Sequence, residues 1–263
     1  LYLTDYHTHT QISPDSSAPL EHMAQAAVDA GVQELCITDH LDLLDLHGAP
    51  RLTYDWAGSL RQFQQTAPRF VHKLQLRLGL EFGVPHTNPA LAEQVLSLPQ
   101  LDFVIGSIHN QSRARGGGDF YCLDYSDHGV CYEALDDYFS SMAQLAQTDY
   151  YDVLGHIIYP LRYMPEGIVL DDYWARMEHI FRIAADRGKG VEINTYRGRT
   201  IDQWRPVLEL YRACGGEIIT VGSDAHAPGD VGAGLREACA LAADLGFRYF
   251  ATYTGRRPEF HKW

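Results

Sequence analysis

Nine residues able to ligate a metal recur at the ends of short apolar runs. They are His7 and His9 in His-Thr-His, Asp15, His40 in Thr-Asp-His, Glu81 in Gly-Leu-Glu-Phe-Gly, His109 in Gly-Ser-Ile-His, His156 in Gly-His, and Asp224 and His226 in Ser-Asp-Ala-His. Neutral imidazole and carboxylate are ligands for zinc, manganese and iron. Together the nine describe one site for two or three divalent ions. Residues two apart on an extended strand face the same way, so His7 with His9, and Asp224 with His226, can each grip one ion. Any of these histidines taken alone reads as a surface or hydrogen-bonded core residue; their joint placement argues otherwise. Glu192 reads equally as a buried carboxylate bracing the fold or as a partner behind a ligand. The other seven histidines, His22, His47, His72, His86, His128, His179 and His261, have no such setting and read as structural or surface.

The elements that must position these residues follow from the apolar pattern. Strand-like runs are predicted at Leu3 to His7, Glu34 to Thr38, Leu74 to Glu81, Phe103 to Ile108, Val153 to His156, Gly190 to Asn194 and Glu217 to Gly222, with a weaker one at Tyr249 to Tyr253. Amphipathic stretches at Leu20 to Ala30, Leu91 to Leu98, Tyr132 to Ala146, Asp172 to Arg187, Trp204 to Cys214 and Leu235 to Leu245 predict helices between them. Alternating strand and helix implies an α/β fold with a mainly parallel sheet. His7, His40, Glu81, His109, His156, Glu192 and Asp224 each fall at or just past the carboxyl end of a strand. In a parallel barrel those ends share one face, where active sites are built. Ser112 to Gly129 reads as a long surface loop of the kind that covers a site, and its three consecutive glycines lack the Lys-Ser/Thr of a phosphate-binding loop.

Composition bounds the rest. The 263 residues are 46% hydrophobic, and the absence of linker or repeat predicts one domain spanning 1–263. Acidic residues outnumber basic ones 34 to 21, a formal charge of −13, which argues against nucleic-acid and anionic-membrane partners. No apolar run is long enough to span a bilayer, and five cysteines without metal-ligand spacing read as reduced thiols, so a soluble cytoplasmic protein is expected.

The ordered series His-x-His, Asp15, Thr-Asp-His, Gly-Leu-Glu, Gly-Ser-Ile-His, Gly-His, Glu-Ile-Asn-Thr and Gly-Ser-Asp-Ala-His resembles the polymerase and histidinol phosphatase (PHP) superfamily over nearly the whole chain. Within it, the length, the Glu-Ile-Asn-Thr run and the Gly-His…Arg segment most resemble histidinol-phosphate phosphatases. The resemblance implies a distorted (β/α)7 TIM-like barrel with a trinuclear centre. It implies a first metal on His7, His9, Glu81 and Asp224, a second on Glu81, His109 and His156, and a third on Asp15, His40 and His226. The sequence departs from the family after His156, where Ile157-Ile158-Tyr159 follow, and after Thr195, where Tyr196-Arg197-Gly198-Arg199 follow; both differences fall where substrate is held.

The reaction this implies is hydrolysis of L-histidinol phosphate to L-histidinol and phosphate by a metal-bound hydroxide, because divalent ions relieve charge repulsion and acidify bound water. Asp15, Asp224 or His226 would pass a proton to the leaving oxygen. Arg162, with Arg197 or Arg199, would form forked bonds to phosphate, Arg199 being favoured by its offset, while Arg113 and Arg115 are weaker candidates. Two other readings stand beside this one: the same centre acting on nucleotides, oligonucleotide ends or phosphotyrosine, and a metal-binding protein without turnover.

Overall fold

The structure, a computed structural model, describes residues 2–51 and 54–263. Strands β1 (Thr4–Thr8), β2 (Glu34–Ile37), β3 (His40–Asp42), β4 (Gln75–Gly83), β5 (Phe103–Ser107), β6 (Val153–Leu154), β7 (Gly190–Asn194) and β8 (Ile219–Gly222) form one parallel sheet. Its order is β1-β2-β4-β5-β6-β7-β8, with β3 continuing the line of β2 along β4. Helices α1 (Leu20–Ala30), α2 (Trp56–Phe70), α3 (Pro89–Leu96), α4 (His128–Ala146), α5 (Trp174–Asp186), α6 (Trp204–Ala213) and α7 (Leu235–Asp244) connect successive strands and lead out of the last. Each connection returns the chain to the same end of the sheet, which is what keeps neighbouring strands parallel.

Among the described residues the two edges are bridged at their carboxyl ends. Thr8 pairs in parallel with Ala225, just beyond β8, and the Asp224 and His9 amides donate to the His7 and Ala225 carbonyls at 2.9 and 2.8 Å. The result is a nearly closed seven-stranded barrel whose seam is fastened at the ligand-bearing rim, as the resemblance implied. A side chain at Gly222 would run into His7 and come within 2.7 Å of Glu192 Oε1, so the seam closes only around a glycine.

A hairpin of β9 (Tyr249–Thr254) and β10 (Arg257–Lys262) stops the other end. Its turn is pinned to residues just before β5 and β6, by Gly255 N–H to Asp102 at 2.9 Å and the Arg256 guanidinium to Asp152 at 2.8 Å. Ala251 and Tyr253 then fill a small core with Tyr6, Cys36, Phe103, Ile105 and Val153. This apolar plug packs the barrel at the end opposite the ligand-bearing rim.

The seven barrel strands and six of the helices lie within a few residues of their predicted positions. The pattern missed β3, β10 and α2. In α2 the apolar stripe is diluted by Gln62, Gln64, Gln65 and Thr66, and Pro68 enters the last turn; the Asp55 side chain caps its start by accepting the Gly58 amide. The expected loop ends earlier than Gly129, because Asp127 caps α4 by accepting the Gly129 amide.

Candidate metal centre and substrate cavity

Glu81, near the carboxyl end of β4, lies at the middle of the cluster. Its Oε1 accepts from Ser107 at 2.8 Å and lies 2.7 and 2.9 Å from Nε2 of His156 and His109. Its Oε2 faces Nδ1 of His40 at 3.0 Å, Nε2 of His7 at 3.1 Å and Nε2 of His9 at 3.5 Å. Asp224 Oδ1 lies 3.6 Å from both His7 and His9 Nε2. Asp15 Oδ2 sits 3.0 Å from His226 and 3.4 Å from His40. All nine residues singled out in the sequence therefore meet at one rim.

The donor set fits cations. Nε2 of His7 and His9, Nδ1 of His40 and Oε2 of Glu81 are buried without a hydrogen-bond partner and converge on one another. An unmatched buried lone pair costs about 1–3 kcal/mol, so four together mark a place for something positive. Four sets bring their ligand atoms within 4.8 Å of one another: His7, His9 and Asp224; Glu81, His109 and His156; His9, His40 and His226; and His40, Asp42 and His109. Two ligands of one zinc lie up to about 4.2 Å apart, given bonds of about 2.0–2.1 Å, so small movements suffice.

Titration behaviour agrees. Burial alone would depress the imidazoles of His7, His40 and His109, but Glu192 and Glu81 at His7, and Glu81 at the other two, carry them well above their ordinary range. Burial likewise raises Glu81 and Asp224, and His7 above all pulls both well below it. A cation among these groups would supply the positive charge that the buried acids require. Burial lowers the imidazoles of His9 and His156 below their ordinary range, which favours the form with a free lone pair.

Behind the ligands stands a row of orienting groups. Glu192 holds His7 Nδ1 at 2.5 Å and accepts the His156 amide at 3.0 Å, so it stands behind two candidate ligands. Asp42 takes His109 Nδ1 at 2.8 Å, and the Asp224 carbonyl takes His226 Nδ1 at 3.0 Å. Such contacts fix which ring nitrogen would face a metal. Asp224 has φ +59°, and Tyr196 and Arg197 have φ +45° and +59°, conformations unusual away from glycine. Backbone bonds from Asp224 N to His7 O and Arg197 N to Ser223 O hold two of them at the site.

A cavity of about 700 Å³ opens over the cluster. Arg162 is buried in its wall, donating to Asp224 Oδ2 at 2.9 Å and Asn194 Oδ1 at 2.7 Å, with the Tyr196 ring 4.1 Å from its guanidinium carbon. Two of its five N–H donors are so used, leaving others for a ligand. Arg197 also borders the cavity, 3.5 Å from His226. The offset that favoured Arg199 misleads: it is exposed, reaches only over the outer side of Tyr196 at 5.5 Å, and does not line the cavity. Arg113 and Arg115 also lie away from it, Arg115 pairing with Glu133.

Sequence reasoning passed over Asp42, Asn194, Ser13 and Asp119. Asp42 and Asn194 carried a usable signal, since each lies two residues from a residue of the cluster on the same strand, His40 and Glu192 respectively. Asp119, in the loop after β5, carried none; it reaches the cavity through the path of the backbone, its amide donating to Leu46 O at 3.0 Å.

Comparison with known proteins adds independent findings. The model of the PHP domain matches residues 5–196. A protein described as a probable histidinol-phosphatase of Deinococcus radiodurans is 30% identical over 94% of this chain and 95% of its own length. A histidinol-phosphatase of Lactococcus lactis is 27% identical over 98% and 97%. The crystal structure of a histidinol phosphate phosphatase from Lactococcus lactis, complexed with zinc, L-histidinol and phosphate, superposes with a TM-score of 0.82, covering 98% of this chain and 99% of that one at 26% identity.

Proposed function

The chain belongs to the PHP domain family, and from that premise we propose that it hydrolyses L-histidinol phosphate to L-histidinol and inorganic phosphate with the help of two or three divalent ions, zinc, manganese or iron. The observation that carries this reading is the convergence of four partnerless buried ligand atoms around Glu81 beside the cavity-lining Arg162 and Arg197. His7, His9, Glu81 and Asp224 would hold one ion, Glu81, His109 and His156 a second, and Asp15, His40 and His226 a third. Ions bound there neutralise phosphoryl charge and supply an ionised water at neutral pH.

The protein's own groups do the rest. Arg162, preset by Asp224, Asn194 and Tyr196, and Arg197 at the rim are placed to bind non-bridging phosphoryl oxygens. As the bond from phosphorus to the leaving oxygen breaks, that oxygen must take a proton, and Asp15, Asp224 and His226 border the cavity where it departs. Asp119 suits the cationic remainder of the substrate. Burial lifts its carboxyl above the usual range, and its partners, the Tyr121 N–H at 2.7 Å and the Tyr159 hydroxyl at 3.4 Å, are both neutral. An ammonium or imidazolium would supply the missing charge.

No described helix is long and apolar enough to cross a membrane, and all five cysteines carry free thiols, which supports a cytoplasmic setting. The acidity of the chain speaks for a small ester over nucleic acid.

The test is a panel of histidinol phosphate, p-nitrophenyl phosphate and nucleotides, each with and without chelator. Turnover should vanish with chelator, return with zinc or manganese, and favour histidinol phosphate by kcat/KM. In Asp119→Asn, loss of a charged hydrogen bond worth about 1.5–3 kcal/mol should lower kcat/KM for histidinol phosphate about 10- to 150-fold while sparing p-nitrophenyl phosphate. Equal losses on both substrates would reject the role of Asp119, and indifference to chelator would reject the metal reading.

A further inference from the structure

One hydroxyl in the centre has its proton direction settled by its neighbours. Ser13 lies in the turn after β1, 2% exposed, and its Oγ is 2.8 Å from Asp39 Oδ1, 3.0 Å from the His40 amide nitrogen and 3.0 Å from His9 Nδ1. A serine hydroxyl has one proton and two lone pairs. The His40 amide can only donate. Asp39, fully buried, also receives the Thr10 amide at 2.6 Å and the Thr10 hydroxyl at 2.7 Å. That hydroxyl in turn accepts from Gln62 at 2.7 Å and from the Ile12 amide, so its proton points to Asp39. Both oxygens of Asp39 are thus engaged as acceptors, and the Ser13 proton goes to Oδ1. The remaining Ser13 lone pair can only accept, so His9 must carry its proton on Nδ1. Its bare Nε2 then faces Glu81 Oε2 at 3.5 Å and Asp224 Oδ1 at 3.6 Å, an arrangement of three lone pairs that only a cation reconciles.

We propose that Ser13, backed by Asp39, is the positioning residue that fixes the His9 tautomer for metal binding and ties this ligand to the loop that delivers Asp15. The inference rests on the metal centre proposed above. Loop geometry supports the second half: Ser16 N–H donates to Ser13 O, and the Ser16 hydroxyl donates to His226 O at 2.8 Å, so the segment carrying Asp15 is braced at both ends against ligand-bearing chain. Without the serine, His9 would be free to protonate at Nε2 and donate to Glu81 or Asp224, closing the position to metal.

The measurement is zinc stoichiometry and affinity of the full chain, by competition with a chromophoric chelator. Ser13→Ala should bind at least one equivalent about 10- to 100-fold more weakly, the usual loss when a group behind a metal ligand is removed. Because Ser13 acts through His9, the double variant His9→Ala/Ser13→Ala should be no weaker than His9→Ala. Ser13→Thr, which keeps the hydroxyl, should fold and bind as wild type. Wild-type affinity in Ser13→Ala, additive losses in the double variant, or failure of Ser13→Thr to restore a Ser13→Ala defect in folding or binding would each overturn the proposal. A wild-type protein that holds no zinc would instead remove the metal centre itself.

Discussion

Glu81→Gln should lower kcat/KM by more than about 10⁴-fold, a barrier increase of about 5.5 kcal/mol, and leave the purified protein short of at least one metal ion. The change keeps the side chain's shape and removes its charge. Oε1 now meets His109, His156 and Ser107, and Oε2 meets His7, His9 and His40. An amide would aim two N–H donors into one of these sets, where the imidazoles must present lone pairs to metal. Since the ligands act as a unit, losing the shared one should approach the effect of losing the centre. Steady-state kinetics with metal analysis and circular dichroism would check it. Activity within tenfold of wild type in a folded protein would mean that Glu81 is an internal salt-bridge acceptor and not a ligand.

The second large effect is expected at Arg162. Arg162→Ala should lower kcat/KM about 10³-fold, with KM raised and kcat reduced, as for a group that binds phosphate more strongly when charge redistributes in the transition state. Part of the loss would come from Asp224, whose Oδ2 would be left without the guanidinium that now faces it at 2.9 Å. Arg162→Lys should recover only a fraction, because an ammonium cannot reproduce a planar fork held at once by Asp224, Asn194 and the Tyr196 ring. Arg199→Ala, with its side chain outside the cavity, should stay near wild type. Reversal of the two results would return the phosphate to the position that sequence offset favoured.

That reversal of expectation shows where sequence reasoning reaches its end. The clustering of the candidate ligands was legible because most of them sit at or just past the carboxyl end of a strand, and a parallel barrel converts that shared address into proximity. His7 with His9 shows the strand period bringing two residues to one oxygen of Glu81. Arg197 and Arg199 sit on a loop whose path depends on left-handed residues at Tyr196 and Arg197, and no periodicity announces those; two residues of offset decide between cavity and solvent. Asp119 is further removed, placed by a backbone bond to the loop that carries Leu46. Helix α2 was lost for a different reason, its glutamines and Pro68 blurring the apolar stripe, although Trp56, Ser59, Thr66 and Phe70 are buried all the same. Glu192 read equally as a brace of the fold or as a partner behind a ligand, and a strand position alone does not say that the imidazole it meets is that of His7.

The most direct test of the centre is anomalous diffraction at a metal edge from crystals of the protein grown with zinc or manganese and phosphate. The expected map has two or three peaks around Glu81, within about 2.0–2.2 Å of ligand atoms of His7, His9, Asp224, His109 and His156 for zinc, and a phosphate bonded to Arg162. Peaks confined to other surfaces, with Glu81 hydrogen-bonded only to protonated imidazoles, would contradict it.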